Sequence, residues 1–315
     1  MKNIKIAILS ILSFCGEIVS AQRPDFLNKD SINSSLDGNI EVFYYDKSAS
    51  KKAQPLVVEL HTWSNSSHSQ TDILAQHVRE KNWNYILPNF RGINNTPKAC
   101  CSQFAIADID GAIDWAIKNM NVDAKRIYIF GFSGGGYATF AMFMKSRHKI
   151  HSFSSWCGIS DLTTWYWQSV ERKNRYGSDI IKCTDSGETY NEQKAKDRSP
   201  LYWKMPLKQR KKSVFQIYAG VHDGYTGSVP ISQSINFYNK LLTDTKEKDT
   251  SRYVSQADLE TMLKTQTFAS PDTVKKIANR VIHYQKSSKK ISLTIFEGGH
   301  EILRSAALDL IDNPN

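Results

Sequence analysis

Residues 126–137 read Arg126-Ile127-Tyr128-Ile129-Phe130-Gly131-Phe132-Ser133-Gly134-Gly135-Gly136-Tyr137. An apolar, β-branched run ends in Gly-x-Ser-x-Gly, and apolar residues at helical spacing follow (Ala138, Phe140, Ala141, Met142, Met144). The pattern predicts a strand, a sharp turn and a helix, with Ser133 on the turn. A serine so placed is pushed into a strained backbone region that lifts its hydroxyl above the sheet edge, so its neighbours must be small. Gly131 and Gly135 meet that need. A phosphate-binding turn is the competing reading. It lacks support, because no Gly-Lys-Ser/Thr follows and the spacing Gly-x-Gly-x-x-Gly does not fit from Gly131 onward.

A serine hydroxyl is a weak nucleophile at neutral pH unless a base takes its proton and a third group orients that base. Two strand-end positions downstream supply these groups. Asp223 follows the apolar run 213–220, and His300, within Glu297-Gly298-Gly299-His300-Glu301, follows the run 290–296. Other residues compete for the roles. Asp161 also follows a buried run and is the alternate acid; His222 is the alternate base, although its neighbour Asp223 faces the other way. His61 precedes the serine and sits where a backbone loop should receive the developing oxyanion. The N–H of Gly134, just after the nucleophile, is one expected donor, and Trp63 or Thr62 supplies the other.

Outward from this stretch, apolar runs alternate with helical patterns. Residues 39–45 alternate apolar and polar side chains, the period of a half-buried strand, whereas 55–61 and 85–90 are nearly continuous apolar runs. A helix is expected over 69–81, and an amphipathic helix over 103–120 with Ile106, Ile109, Ile113 and Ile117 on one face. A buried strand lies within 151–159. Helices are expected over 229–242, over 255–265 with Ser255 as N-cap, and over 301–311. This alternation predicts an α/β fold with a mostly parallel sheet covered by helices on both faces. Between the runs at 151–159 and 213–220 lies a long irregular stretch containing Trp165, Trp167 and Trp203. It reads as a lid-like insertion at about 162–212.

The 315 residues suffice for one large catalytic domain, expected over 22–315. Lys2 and Lys5, the apolar run 6–14 and Val19-Ser20-Ala21 form the grammar of a signal peptide over 1–21, too short to span a membrane. Export, to the periplasm or beyond, is therefore expected. Of the cysteines beyond it (Cys100, Cys101, Cys157, Cys183), Cys183 is expected to bond Cys100 or Cys101; their spacing is not that of a zinc site. The net charge of +10 includes basic clusters at 204–212 and 286–290. No nucleic-acid motif accompanies them, so an anionic polysaccharide or an anionic outer surface is the expected partner of this charge.

At the residues around Ser133 the chain resembles the catalytic domain of the prolyl oligopeptidase family of α/β hydrolases. Gly131 to Tyr137 is similar to that family's Gly-Trp-Ser-Tyr-Gly-Gly-Tyr. Ser199-Pro200, Val229-Pro230 with Gln233, and the Gly-Gly-His ending at His300 match its later elements. The likeness runs from about Pro55 onward. It departs in Gly134, in the lack of a Tyr-Gly-Gly motif after the third strand, and in two extra residues between Asp223 and Val229. Residues 22–52 are also too few for that family's propeller blades. The resemblance implies an α/β-hydrolase fold with Ser133, Asp223 and His300 as the triad and no cofactor or metal. Without a propeller it is closer to small exported esterases. A serine esterase on a polysaccharide methyl, acetyl or feruloyl ester is therefore the expectation, pectin methyl ester foremost, with Trp165, Trp167 and Trp203 stacking on sugar rings. A serine peptidase is the alternative.

Overall fold

The structure, a computed structural model, describes residues 23–69, 74–268 and 274–312, and the expected signal peptide lies outside them. In chain order its elements are β1 (Asn28–Asn33), β2 (Ile40–Asp46), β3 (Gln54–Leu60), α1 (Ala75–Glu80), β4 (Asn84–Pro88), α2 (Gln103–Asn119), β5 (Val122–Phe132), α3 (Gly134–Lys145) and β6 (Ser152–Trp156). There follow α4 (Leu162–Glu171), α5 (Tyr176–Cys183), α6 (Glu192–Asp197), α7 (Leu207–Arg210), β7 (Val214–Gly220), α8 (Ser232–Asp244), α9 (Gln256–Thr265), β8 (Lys276–Ile277), β9 (Arg280–Ser288), β10 (Ile291–Phe296) and α10 (Arg304–Asp312). The strands form one sheet in the order β1-β2-β4-β3-β5-β6-β7-β10-β9-β8.

The six central strands, β4 to β10 in that order, run parallel, and antiparallel strands close both edges. Strands buried on both faces read as unbroken apolar runs, and β3 shows why. Leu56 and Val58 enter the core under α2, α3 and α8, while Val57 between them enters the opposite core with α1 and α10. Helix starts follow local chemistry. The Ser102 hydroxyl accepts from the Ala105 N–H at the start of α2, and that of Ser255 from the Asp258 N–H at the start of α9.

Two parts of the architecture differ from the expectation. The stretch 162–212 is largely helical rather than irregular, in the short helices α4 to α7. Asp161 caps α4 and Asn191 caps α6, each accepting from a backbone N–H two or three residues on. The second difference is the hairpin β8–β9, which extends the sheet beyond β10.

Cys183 at the end of α5 bonds Cys100, while Cys101 and Cys157 are free and buried. The bond ties the helical insertion to the loop after β4 across 83 residues of chain. Tyr137 of α3 reinforces that junction, since its hydroxyl donates to the carbonyls of Cys100 and Arg198. Closing so long a loop restricts the unfolded chain, so Cys183→Ser is expected to lower stability by about 2 to 4 kcal/mol. Denaturant unfolding with and without reductant checks this: reductant should shift the wild-type midpoint and leave that of the variant unchanged.

Candidate active site

Three loops at the carboxyl ends of parallel strands meet here: the one after β5 carries Ser133, the one after β7 Asp223, and the one after β10 His300. The Ser133 backbone adopts φ 57° and ψ −118°, and its N–H donates to the Trp156 carbonyl of β6 at 2.8 Å. That conformation is the strained turn the glycine spacing predicts. A methyl group at Gly131 would overlap the Gly135 carbonyl, and one at Gly135 would overlap the Leu60 carbonyl. The tight crossing of strand and helix therefore excludes every larger residue at both positions.

His300 Nε2 lies 2.8 Å from Ser133 Oγ, and His300 Nδ1 lies 2.7 Å from Asp223 Oδ2. With the imidazole proton on Nδ1 both contacts are satisfied: the ring donates to Asp223 and accepts from the serine hydroxyl. Asp223 is fully buried, and its second oxygen accepts from the Val229 N–H at 3.1 Å. That N–H belongs to the Val229-Pro230 element, which thus holds the carboxylate in place. Cys157 lies with Asp223 and His300 in a cluster of potential metal donors. Burial, and then the Asp223 charge, push its thiol well above the usual range, so it stays protonated. Asp223 Oδ2 and His300 Nδ1 are already joined to each other, which makes this a hydrogen-bonded relay rather than a cation cage.

The loop His61-Thr62-Trp63 passes directly over the first turn of α3. A methyl at Gly134 would overlap the Trp63 backbone nitrogen. Among the described residues neither the Trp63 N–H nor the Gly134 N–H donates to a protein acceptor. Two unpaired donors side by side next to Ser133 are what a developing oxyanion requires. The Thr62 hydroxyl accepts from Asn65. His61 takes no part: it is buried, stacks on Phe90 at 3.8 Å, and its ring nitrogens lie 3.0 Å and 2.7 Å from the Thr62 and Asn89 carbonyls, one of which accepts from the single N–H of the neutral ring, since burial lowers its pKa to about 4.

Of the three tryptophans expected to stack on sugars, two have other work. Trp165 is 1% exposed, packs edge-on against Trp63 at 4.8 Å and stacks on Tyr176. It supports the oxyanion loop from behind, together with Asp179, which accepts from the Trp63 indole N–H. Trp203 packs beside Lys145, at the far end of α3 and roughly 16 Å along the helix from Ser133. Trp167 alone is exposed, at 61%, with Tyr166 and Tyr190 beside it. The alternate acid Asp161 is consumed as the cap of α4, accepting from Thr163, Thr164 and Tyr202.

The alternate base His222 is paired elsewhere. Glu297, on the loop of His300, accepts from His222 of the Asp223 loop at 2.8 Å and from His283 of β9 at 2.6 Å, a bridge that sequence patterns did not reveal. The hydrogen bond from His283, then that from His222, holds the Glu297 carboxyl below its usual 4.5. For His222, burial opposes the charge, but Glu297 and Gln266 outweigh it and raise the pKa above 6.5. A raised histidine stabilises fully below about 6.5 and loses this as pH rises through its folded value; a lowered carboxylate stabilises above about 4.5 and loses this as pH falls. The bridge is therefore strongest between about pH 4.5 and 6.5. Both groups are partly exposed, which limits it to about 1 kcal/mol. Glu297→Gln is expected to lower Tm by about 1–2 °C near pH 5.5 and by less near pH 9. An equal loss at both would mean that charge is not involved.

The family model for the alpha/beta hydrolase fold matches residues 55–174, a segment that holds the strand, turn and helix around Ser133. This chain has the α/β-hydrolase fold. Among solved structures, this chain is similar to the acylaminoacyl peptidase of Pyrococcus horikoshii (16% identity, TM-score 0.57), covering 90% of this chain and 39% of that one. It is similar to prolyl oligopeptidase B of Galerina marginata (15%, TM-score 0.53), over 71% of this chain and 32% of the other. Dipeptidyl peptidase 4 of Porphyromonas gingivalis is a third (17%, TM-score 0.51), at 76% and 34%. The chain thus spans less than two fifths of the length of each. At these identities the likeness is one of fold. No curated protein matches the sequence.

Proposed function

We propose that this α/β hydrolase is a serine hydrolase that acts through an acyl-enzyme on Ser133, and that its natural substrate is a peptide or acyl-amide bond. The observation that carries the first part is the unbroken hydrogen-bonded line Ser133–His300–Asp223, ending beside the unpaired Trp63 and Gly134 N–H groups. His300 Nε2 takes the serine proton as Oγ attacks the carbonyl carbon. Asp223 stabilises the imidazolium, and the two N–H groups receive the oxyanion. The imidazolium then protonates the leaving group, and water attacks the acyl-serine by the reverse route, its proton again taken by His300.

The amide preference is supported by the solved neighbours named above, all peptidases. The carbohydrate-ester reading has lost two of its three aromatic platforms and rests on exposed Trp167 with Tyr166 and Tyr190. Export is proposed with it, and the Cys100–Cys183 disulfide supports an oxidising compartment. Assaying N-acyl-aminoacyl and X-Pro anilides beside p-nitrophenyl acetate and esterified pectin and xylan separates the readings. Anilide turnover that exceeds polysaccharide de-esterification supports a peptidase. Release of methanol, acetate or ferulate from the polymers, with inert anilides, would move the assignment to a carbohydrate esterase.

A further inference from the structure

Lys208, Lys211, Lys289 and Lys290, from the two basic clusters singled out in the sequence, meet at one cavity. Phe143, Met205, Leu207 and Ile291 line a cavity of about 510 Å³, and Lys208, Lys211, Lys289 and Lys290 line its mouth. All four lysines are exposed, and among the described residues none makes an ion pair with a carboxylate. Leu207 is 46% exposed at the edge of the opening. Arg210, by contrast, is not available to a ligand. It is buried and donates to the carbonyls of Met142, Phe143, Ser146 and His148 at the end of α3, and burial lowers its pKa to about 10. The cavity opens where β7 and β10 begin and α3 ends. Ser133, Asp223 and His300 lie at the other ends of these elements, roughly 20 Å away along a strand of six or seven residues.

Lys289 and Lys290 donate only to the backbone carbonyls of Thr245 and Lys212, so none of the four charges is neutralised. Exposed lysines without carboxylate partners around an apolar opening with an exposed leucine are complementary to one kind of surface: negative charge laid over hydrocarbon. A soluble polyanion would satisfy the lysines and leave the cavity and Leu207 unused. A neutral apolar partner would leave four charges without a counterpart. We propose that this face docks on an anionic lipid surface, with Leu207 entering the boundary below the head groups and the four lysines meeting them. In that orientation the catalytic loops face away from the lipid, so docking leaves the site open to substrate from the aqueous side.

The test uses the full chain and vesicles of phosphatidylcholine alone or with about a third phosphatidylglycerol, pelleted at low and high salt. Wild type should partition onto the anionic vesicles at least about tenfold more than onto neutral ones, and about 0.5 M salt should remove the excess. The quadruple variant K208E/K211E/K289E/K290E should lose the excess. A control that reverses exposed Lys29, Lys173, Lys194 and Lys264 changes the net charge equally and should keep it. Leu207→Asp should reduce binding several-fold. Any apolar N-terminal leader is the same in all variants, so differences between them report on this face. Unchanged melting and unchanged turnover of a small ester confirm that each variant is folded. Equal loss in the control quadruple, or wild-type binding by Leu207→Asp, would each overturn the proposal.

Discussion

Ser133→Ala should lower turnover by about five to six orders of magnitude, with little change in stability. The only bonds lost are the Oγ contact with His300 and those made in the transition state; the turn itself is held by the Ser133 N–H and by the glycines on either side. His300→Ala should cost about as much, and the double variant no more than either alone. The two side chains form one proton-transfer unit, so once one is absent the other has nothing to act on. Steady-state rates of the three variants on one chromogenic substrate check this. Losses that multiply in the double variant would mean that serine and histidine act independently.

The second large effect separates two buried aspartates that sequence position alone left in competition. Asp223→Asn should reduce turnover by about four orders of magnitude, because an amide nitrogen facing His300 Nδ1 favours the tautomer that carries the proton on Nε2, where it cannot accept from Ser133. Asp161→Asn should cost less than tenfold in turnover, and about 1 kcal/mol in stability through the weakened start of α4. A larger kinetic loss from Asp161→Asn than from Asp223→Asn would transfer the role of orienting acid to Asp161.

Strand ends were the legible part of this site. Ser133, Asp223 and His300 each follow a largely buried strand, and although Gln216, Ser292 and Thr294 interrupt the later two, each strand still reads as a short apolar-rich run ending at the loop that carries its residue. The hairpin β8–β9 was hidden for an opposite reason. Its two-residue turn is Ala278-Asn279, both at positive φ, in place of the Asn-Gly that usually marks such a turn. The lysine-rich end of β9 reads as a solvated charge cluster. Helices α4 to α7 were hidden because they are short, and the starts of α4 and α6 depend on single capping side chains, Asp161 and Asn191.

The roles of the tryptophans were not legible because composition does not tell a core aromatic from a surface one. Trp165 and Trp167 are two residues apart on α4, yet one is buried against the oxyanion loop and the other faces solvent. The Glu297 bridge joins His222 on the Asp223 loop to His283 on strand β9, and no local spacing connects them. The disulfide partner of Cys183 depended on which way the adjacent Cys100 and Cys101 side chains point. The loop gives both residues positive φ, and only Cys100 reaches α5.

The most direct test is to treat the protein with a fluorophosphonate, which reacts only with a serine whose proton is removed as it attacks, and to map the adduct by mass spectrometry. A stoichiometric adduct on the peptide containing Ser133 is expected, falling by at least about a hundredfold in His300→Ala and in Asp223→Asn. An unlabelled Ser133 in protein that still turns over an ester or anilide, or equal labelling in the absence of His300, would contradict this expectation.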